Sequence, residues 1–472
     1  MNLLDGFATR VAESPERVAI VDGRGRATTY AALDARAAAL AAGWVAQGLR
    51  QGDRVLLAMR VDADLYAALA ALWRIGAAAV FPEPALGLAG LRHAVAATAP
   101  RALLVNGAYR LLPLLVPAIR RTPLRLGLAG AGAHPVSDLS PDTPALISFT
   151  SGSTGTPKAI SRSHAFLRAQ DAAVAPLLAS ADDRGRAEVD LVAFPVFVVA
   201  NLGRGVTSVL PNWRLSRSLV ADARAIAAHA IAAGVTRLLL SPALAERMAD
   251  HLPAGVGTLF VGGGPVFPDL LDRLRARRPD LRIVAVYGST EAEPIAHLDW
   301  DEATAEDRAA MRGGAGLLAG RVVPSARVRI VDEEILVAGD HVVSGYLDPA
   351  RNAATKVRDA DGTIWHRTGD AGRFDDAGRL WLVGRVEGRV GGLRPFPVEA
   401  AARGWPGVRR AALAGVAGRA VLAVEGDAAC LPDWRARFAA LGGAEVRHVR
   451  RLPLDRRHGS KVDLPRLAAM LR

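Results

Sequence analysis

The sequence predicts an α/β protein with a large N-terminal domain of doubly wound sheet, a smaller β-rich unit and a small mixed tail. Three observations predict it. Short apolar runs alternate with longer helical patterns through most of the chain. After about Gly316 that alternation gives way to short strands and turns. At 472 residues the chain is also too long for one hydrophobic core.

The elements read in order as follows. Residues 54–59 (RVLLAM) are strand-like, 65–74 helical, and 102–105 strand-like again. Residues 65–81 are apolar but are broken by Arg74, and read as a buried helix running into a strand rather than a membrane span. Residues 145–149 (ALISF) form a strand leading into a Gly/Ser/Thr loop, and 189–194 and 237–240 form two more strands. Ser241-Pro242 is an N-cap and first-turn pair opening a helix to about residue 251. A strand at 258–261 ends in Gly262-Gly263-Gly264-Pro265, a helix spans 268–278, and a strand at 282–286 ends in Tyr287-Gly288-Ser289-Thr290-Glu291. In such sheets ligands sit beyond the carboxyl ends of the strands. Three polar, Gly-rich segments (150–158, 262–265 and 287–291) each follow a strand and are expected to converge on one pocket. Strands at 328–331, 334–337 and 379–383, with a turn at Asp375-Asp376-Ala377-Gly378, make the β-rich unit. The stretch 384–392 (GRVEGRVGG) reads as a hinge, giving domains of 1–384 and 385–472.

Composition excludes several classes. With 51% hydrophobic and 22% charged residues the chain is a folded soluble type, not a disordered one. The formal net charge is +12, and lysine occurs only at Lys158, Lys356 and Lys461, so 56 of the 59 basic residues are arginine. They are scattered without a dense basic block, which speaks against a nucleic-acid partner. The one cysteine, Cys430, can build neither a disulfide framework nor a cysteine metal site, and suits a cytoplasmic location. The opening residues lack the basic and apolar regions of a signal peptide.

The strongest local signal is Thr150-Ser151-Gly152-Ser153-Thr154-Gly155-Thr156-Pro157-Lys158. Glycines let backbone N–H groups turn inward, hydroxyls add donors, and the lysine adds a mobile positive charge for phosphate. The spacing is not that of the G-x-x-x-x-G-K-[ST] loop, since Pro157 precedes the lysine and Ala159 follows it. In a chain that uses arginine for nearly every cation, lysine here points to a job unsuited to a guanidinium.

These residues resemble the phosphate signature of the adenylate-forming superfamily, which includes acyl-CoA synthetases, peptide-synthetase adenylation domains and luciferases. Four further segments are similar to family motifs in the same order. They are GGGP (262–265), YGSTE (287–291), RTGD (367–370) with GR (384–385), and Gly459-Ser460-Lys461-Val462-Asp463. Residues 190–212, 362–385, 396–416 and 455–463 most resemble the β-lactone synthetases of olefin biosynthesis. The resemblance implies an N-terminal domain with a small β-barrel-like unit and a mobile α+β C-terminal domain that swings to deliver Lys461.

It also implies roles. Thr150, Ser151, Gly152, Ser153, Thr154, Gly155 and Lys158 would hold the ATP phosphates, and Glu291 with Thr154 would hold Mg²⁺. Thr290 would contact the α-phosphate, Tyr287 and Gly288 would sit at the adenine, and Gly263 and Gly264 would let the backbone approach the base edge. Asp370 would accept from both ribose hydroxyls beside Arg385. Lys461 would neutralise charge on the reacting carboxylate and α-phosphate. The catalytic set is thus Lys461, Glu291, Thr154 and Lys158, and His366 and His458 are supporting residues.

The implied reaction is ATP-dependent activation of a carboxylic acid, fatty or β-hydroxy fatty, with release of pyrophosphate. The acyl group would pass to coenzyme A or another acceptor such as an acyl carrier protein, or a β-hydroxy acyl-adenylate would close to a β-lactone. A degenerate, non-catalytic nucleotide-binding protein is the rival of another class, opposed by intact Lys158, Glu291, Asp370 and Lys461. The chain departs from the fatty acyl-CoA synthetase pattern at Val198, where histidine is common, and at Glu387 in a hinge about two residues shorter. Phe197, Val198, Asn201 and residues 262–264 are expected to line the acid pocket.

Overall fold

Parallel strands joined by buried helices build the first of two units, and mixed and antiparallel strands build the second. The computed structural model describes residues 2–82, 87–150, 157–179, 187–455 and 459–472. Unit one comprises Met1–Ser216, Ala221–Leu239 and Asp340–Lys356; unit two comprises Arg217–Val220, Leu240–Gly339 and Val357–Arg472.

In unit one, Leu124–Leu126, Ala102–Val105, Arg54–Ala58, Ala78–Phe81 and Pro144–Thr150 lie side by side, all parallel. Lys158–Ser163 closes the edge antiparallel to Pro144–Thr150. Successive side chains point to opposite faces of a strand. Val55, Leu57, Ala79 and Leu104 therefore feed one apolar core, and Leu56, Val80 and Leu103 feed another. A sheet covered on both faces reads as continuous apolar runs, which is the doubly wound signature of the sequence. The crossover helix Ala63–Ile75 starts where the Asp62 carboxylate accepts from Leu65 N–H and stops at Gly76, whose φ of 79° continues no helix. Arg74, the charge interrupting that apolar run, is buried against the Asp34 carboxylate and the His134 carbonyl.

A second sheet of unit one runs Ala27–Thr29, Val18–Val21, Thr207–Val209, Val189–Val192, Arg237–Leu240, parallel except for its first pair. Its last two strands share a buried ion pair. Arg237 Nε and Nη2 donate to the two Asp190 carboxylate oxygens at 2.6 and 3.0 Å. Asn201 Nδ2 donates to Asp190 Oδ2 at 3.0 Å and to Ser208 Oγ at 3.1 Å.

In unit two, Thr258–Gly262 runs parallel to Arg282–Ser289. Antiparallel pairing then continues through Ala292–Asp299, Leu317–Val322, Leu380–Arg385, Ile364–Phe374, Glu334–Ala338 and Arg327–Val331. The strands from Leu317 onward are the β-rich part foreseen after Gly316. The C-terminal residues form the smaller sheet Val408–Val416, Arg419–Gly426, Glu445–His448, with helices Pro395–Arg403, Leu431–Ala440 and Leu464–Met470. This segment is fastened within its unit by Arg403, which donates twice to Asp269 at 2.8 and 2.9 Å, and by Phe396 edge-on to Phe267.

One expectation changes. Residues 287–289 are not a loop after a strand. They are the end of the strand Arg282–Ser289, which turns through Thr290 and Glu291 into Ala292–Asp299. The antiparallel partner extends the ladder beyond the apolar run, so hydrogen bonding rather than hydrophobicity sets where the strand ends. Among the described residues no helix is long and apolar enough to cross a membrane.

Candidate active site

Two of the candidates meet in unit one and three in unit two. In unit one, Thr150 and Lys158 are cross-strand partners, so the strands Pro144–Thr150 and Lys158–Ser163 bring the two ends of the Gly/Ser/Thr segment together. Ser151, Gly152, Ser153, Thr154, Gly155 and Thr156 lie outside the described residues, and Thr150 is described by its backbone. The Lys158 ammonium lies 5.3 Å from the centroid of the Tyr346 ring, and Lys356, donating to the Val343 carbonyl, lies 5.6 Å from the same ring. Two of the three lysines in the chain thus flank one tyrosine.

In unit two the structure brings together three residues far apart in sequence. Tyr287 Oη donates to Asp370 Oδ2 at 2.9 Å, and Arg385 Nη1 donates to Asp370 Oδ1 at 2.8 Å and to the Thr368 carbonyl at 2.9 Å. Asp370 and Arg385 are direct cross-strand partners at the ends of Ile364–Phe374 and Leu380–Arg385. Burial, and next the adjacent Asp370 charge, push the Tyr287 phenol well above its ordinary range. It therefore stays a donor at neutral pH. Gly288 sits beside Tyr287 in the strand, with Thr290 and Glu291 in the following turn.

The turn that presents Asp370 is held by a residue the sequence reading passed over. Glu334, nearly fully buried, accepts from Arg367 Nε at 2.8 Å and from Gly369 N–H at 3.0 Å. Thr368 Oγ1 donates to the Ile335 carbonyl at 2.8 Å and accepts from Asp370 N–H at 3.0 Å. Gly369 has φ +69°, a left-handed conformation that favours glycine, and a Cβ there would lie 2.6 Å from Arg385 Nη2, crowding the guanidinium that meets Asp370. The only sequence signal for Glu334 was a charge opening an apolar strand, which a solvated strand end explains equally well.

The remaining candidates are placed as follows. Gly263 has φ +79° after the strand Thr258–Gly262, and Gly264 lies against Ser460. Lys461 is exposed, on a loop pinned by Asp455, whose Oδ1 accepts from the N–H groups of Ser460 and Lys461 at 2.8 Å each. His366 is buried in its strand opposite Val337, and His458 lies outside the described residues. Val198 and Asn201 are fully buried. Asn201 spends its amide on Asp190 and Ser208, so it holds the core of its unit rather than lining an acid pocket. Phe197 is half-buried and packs edge-on to Phe194.

Among the described residues no group of three or more His, Cys, Asp or Glu side chains gathers as a metal cage. A magnesium ion carried by one carboxylate together with phosphate oxygens and water needs none. A single Glu291 at a strand turn fits that mode.

The family model "AMP-binding enzyme" matches residues 7–347. The chain is 32% identical to an olefin β-lactone synthetase of Xanthomonas campestris pv. campestris, over 97% of this chain and 95% of that protein. Its fold is similar to the amide bond synthetase McbA of Marinactinospora thermotolerans (TM-score 0.82, 24% identity, 99% of each chain). It is also similar to the O-succinylbenzoate coenzyme A synthetase of Bacillus subtilis in complex with ATP and magnesium (TM-score 0.78, 20% identity, 98% and 99% of the chains). The chain belongs to the AMP-binding enzyme family of ATP-binding, adenylate-forming ligases.

Proposed function

We propose, with membership of this family as the premise, that the chain activates a fatty or β-hydroxy fatty acid as its acyl-adenylate. A carboxylate oxygen attacks the α-phosphorus of ATP, the α–β phosphoanhydride bond breaks, and pyrophosphate leaves. Negative charge collects on oxygens throughout, so positioned cations and donors do most of the work. The observation that carries the reading is the Tyr287–Asp370–Arg385 cluster, in which a carboxylate is oriented by two donors.

In this reading Asp370 accepts from the two ribose hydroxyls, Arg385 holds that carboxylate, and Tyr287 offers its ring to the adenine next to Gly288, Gly263 and Gly264. Thr150, Ser151, Gly152, Ser153, Thr154, Gly155 and Lys158 hold the phosphates, with Tyr346 bracing Lys158. Thr290 contacts the α-phosphate. Glu291 and Thr154 would hold Mg²⁺, which would offset charge on the phosphate oxygens. Lys461 neutralises the reacting carboxylate and α-phosphate. The stretch 384–392 serves as the hinge between domains 1–384 and 385–472, so that the tail delivers Lys461 for the first step. The lone Cys430 agrees with a cytoplasmic setting.

The second half-reaction separates two readings. Transfer to coenzyme A or a carrier protein forms a thioester and releases AMP. Closure of a β-hydroxy acyl-adenylate forms a bond from its own hydroxyl oxygen to the acyl carbon, loses the hydroxyl proton to solvent and releases AMP. The near full-length similarity to a β-lactone synthetase favours closure. The test is ATP–pyrophosphate exchange across short, long and β-hydroxylated acids, with products analysed with and without coenzyme A. Exchange lost in K158A and K461A is expected. Absence of exchange with every acid of the panel would leave the non-catalytic nucleotide-binding reading, and product that requires coenzyme A would overturn closure.

A further inference from the structure

The lysine loop docks inside unit two through contacts that the phosphate chemistry does not require. Helix Pro242–Met248 begins with a proline, which has no N–H, and its third N–H, from Leu244, is capped by Ser241 Oγ at 3.4 Å. Its second N–H, from Ala243, donates instead to Ser460 Oγ at 3.1 Å, across 217 residues of sequence. An unmatched N–H at a helix start costs free energy, so this bond favours the docked loop. The approach is equally specific. A Cβ on Gly264 would lie 2.6 Å from Ser460 Cβ, a separation real side chains do not adopt. Gly459 takes φ +63°, and a Cβ on it would lie 2.5 Å from Leu219 Cγ. On the far side Asp455 grips the Ser460 and Lys461 N–H groups, and Asp455 N–H donates to the Lys461 carbonyl at 2.8 Å. A hydroxyl, a missing side chain and a left-handed glycine thus fix one position of the backbone that carries Lys461.

We propose that Ser460 is the latch of the adenylating arrangement, seated by its hydroxyl on helix Pro242–Met248 and by its Cβ in the room left at Gly264. Ser460 and Gly264 are then positioning residues that act through Lys461. The proposal rests on the acyl-adenylation reading above.

The test uses the full chain and two readouts, ATP–pyrophosphate exchange and consumption of a chemically prepared acyl-adenylate. S460A loses about one hydrogen bond, so exchange turnover should fall roughly fivefold. The KM for ATP and consumption of the prepared adenylate should stay unchanged. G264A should lower exchange at least about tenfold through overpacking at the latch. The double variant G264A/S460G removes the opposing Cβ, so its exchange turnover should rise above that of G264A alone, a recovery that damage to the nucleotide site by itself would not give. Additive losses in the double variant, or S460A indistinguishable from wild type while K461A is inactive, would overturn the latch and leave the adenylation reading standing. Wild-type protein that shows no exchange with any acid of the panel would overturn that reading itself. Thermal unfolding of each variant separates loss of fold from loss of docking.

Discussion

Two aspartate–arginine pairs in this molecule have nearly the same local chemistry and opposite exposure. Asp190 and Arg237 are both essentially fully buried, and the aspartate also accepts from the Asn201 amide. Asp370 and Arg385 lie at strand ends, with Arg385 more than half exposed, and Tyr287 donates to the aspartate. In the first pair the guanidinium spans both carboxylate oxygens and the surroundings are sealed. In the second, one donor on each oxygen leaves lone pairs facing outward. The sealed pair ties a sheet together, whereas the open pair leaves its carboxylate 22% exposed to solvent. Exposure of the remaining lone pairs, not the identity of the residues, separates structure from site.

The largest expected effect breaks the sealed pair. D190A removes the bidentate partner of the buried Arg237, leaving Glu188 at 2.6 Å as its remaining carboxylate, and should cost about 3 kcal/mol of stability, read by denaturant unfolding. Adenylation per folded molecule should be little changed. The open pair should respond the other way. D370A removes charged hydrogen bonds to a ligand and should lower kcat/KM for ATP about 100-fold while the unfolding midpoint hardly moves. If D370A unfolds the protein as D190A does, the contrast fails.

A third carboxylate sharpens the comparison through pH. Glu399 is buried and accepts from Leu413 N–H at 3.0 Å. Burial pushes it up to about 7, against the pull of that bond and of the Arg403 charge. Because its folded pKa is raised, its contribution to stability is complete below the ordinary carboxylate range and is lost as pH rises through about 7. Stability should therefore decline by up to about 1.4 kcal/mol per pH unit across that window. E399Q should remove the slope, and a slope that survives in E399Q would assign it elsewhere. The smallest effect tests the phenol of the open pair. Y287F keeps the ring but loses one hydrogen bond to Asp370, so KM for ATP should rise roughly fivefold with kcat preserved. A collapse of kcat instead would give Tyr287 a part in the chemical step.

Legibility in the sequence followed the range of the forces involved. The buried helix and strand at 65–81, the Ser241-Pro242 helix start and the turn at Asp375–Gly378 were readable, because periodicity, caps and turn residues act over a few positions. The strand through Tyr287-Gly288-Ser289 was not, because its antiparallel partner Ala292–Asp299 completed it through backbone hydrogen bonds that leave no apolar pattern in the sequence. Asn201 looked like a pocket residue from its neighbours and proved to be the amide that satisfies Asp190. Glu334 carried only the signal of a charge opening a strand, since its value lies in the Gly369 N–H and Arg367 that the fold places beside it.

The sequence by itself determined the α/β class, the order of the motifs and the chemical types available for phosphate, ribose and carboxylate. These depend on local propensity and on which functional groups are present. Tertiary structure alone decided which carboxylate would be sealed and which left open, and that Ser460 would meet Gly264. Burial and steric fit arise between residues that sequence distance keeps independent until the chain has folded.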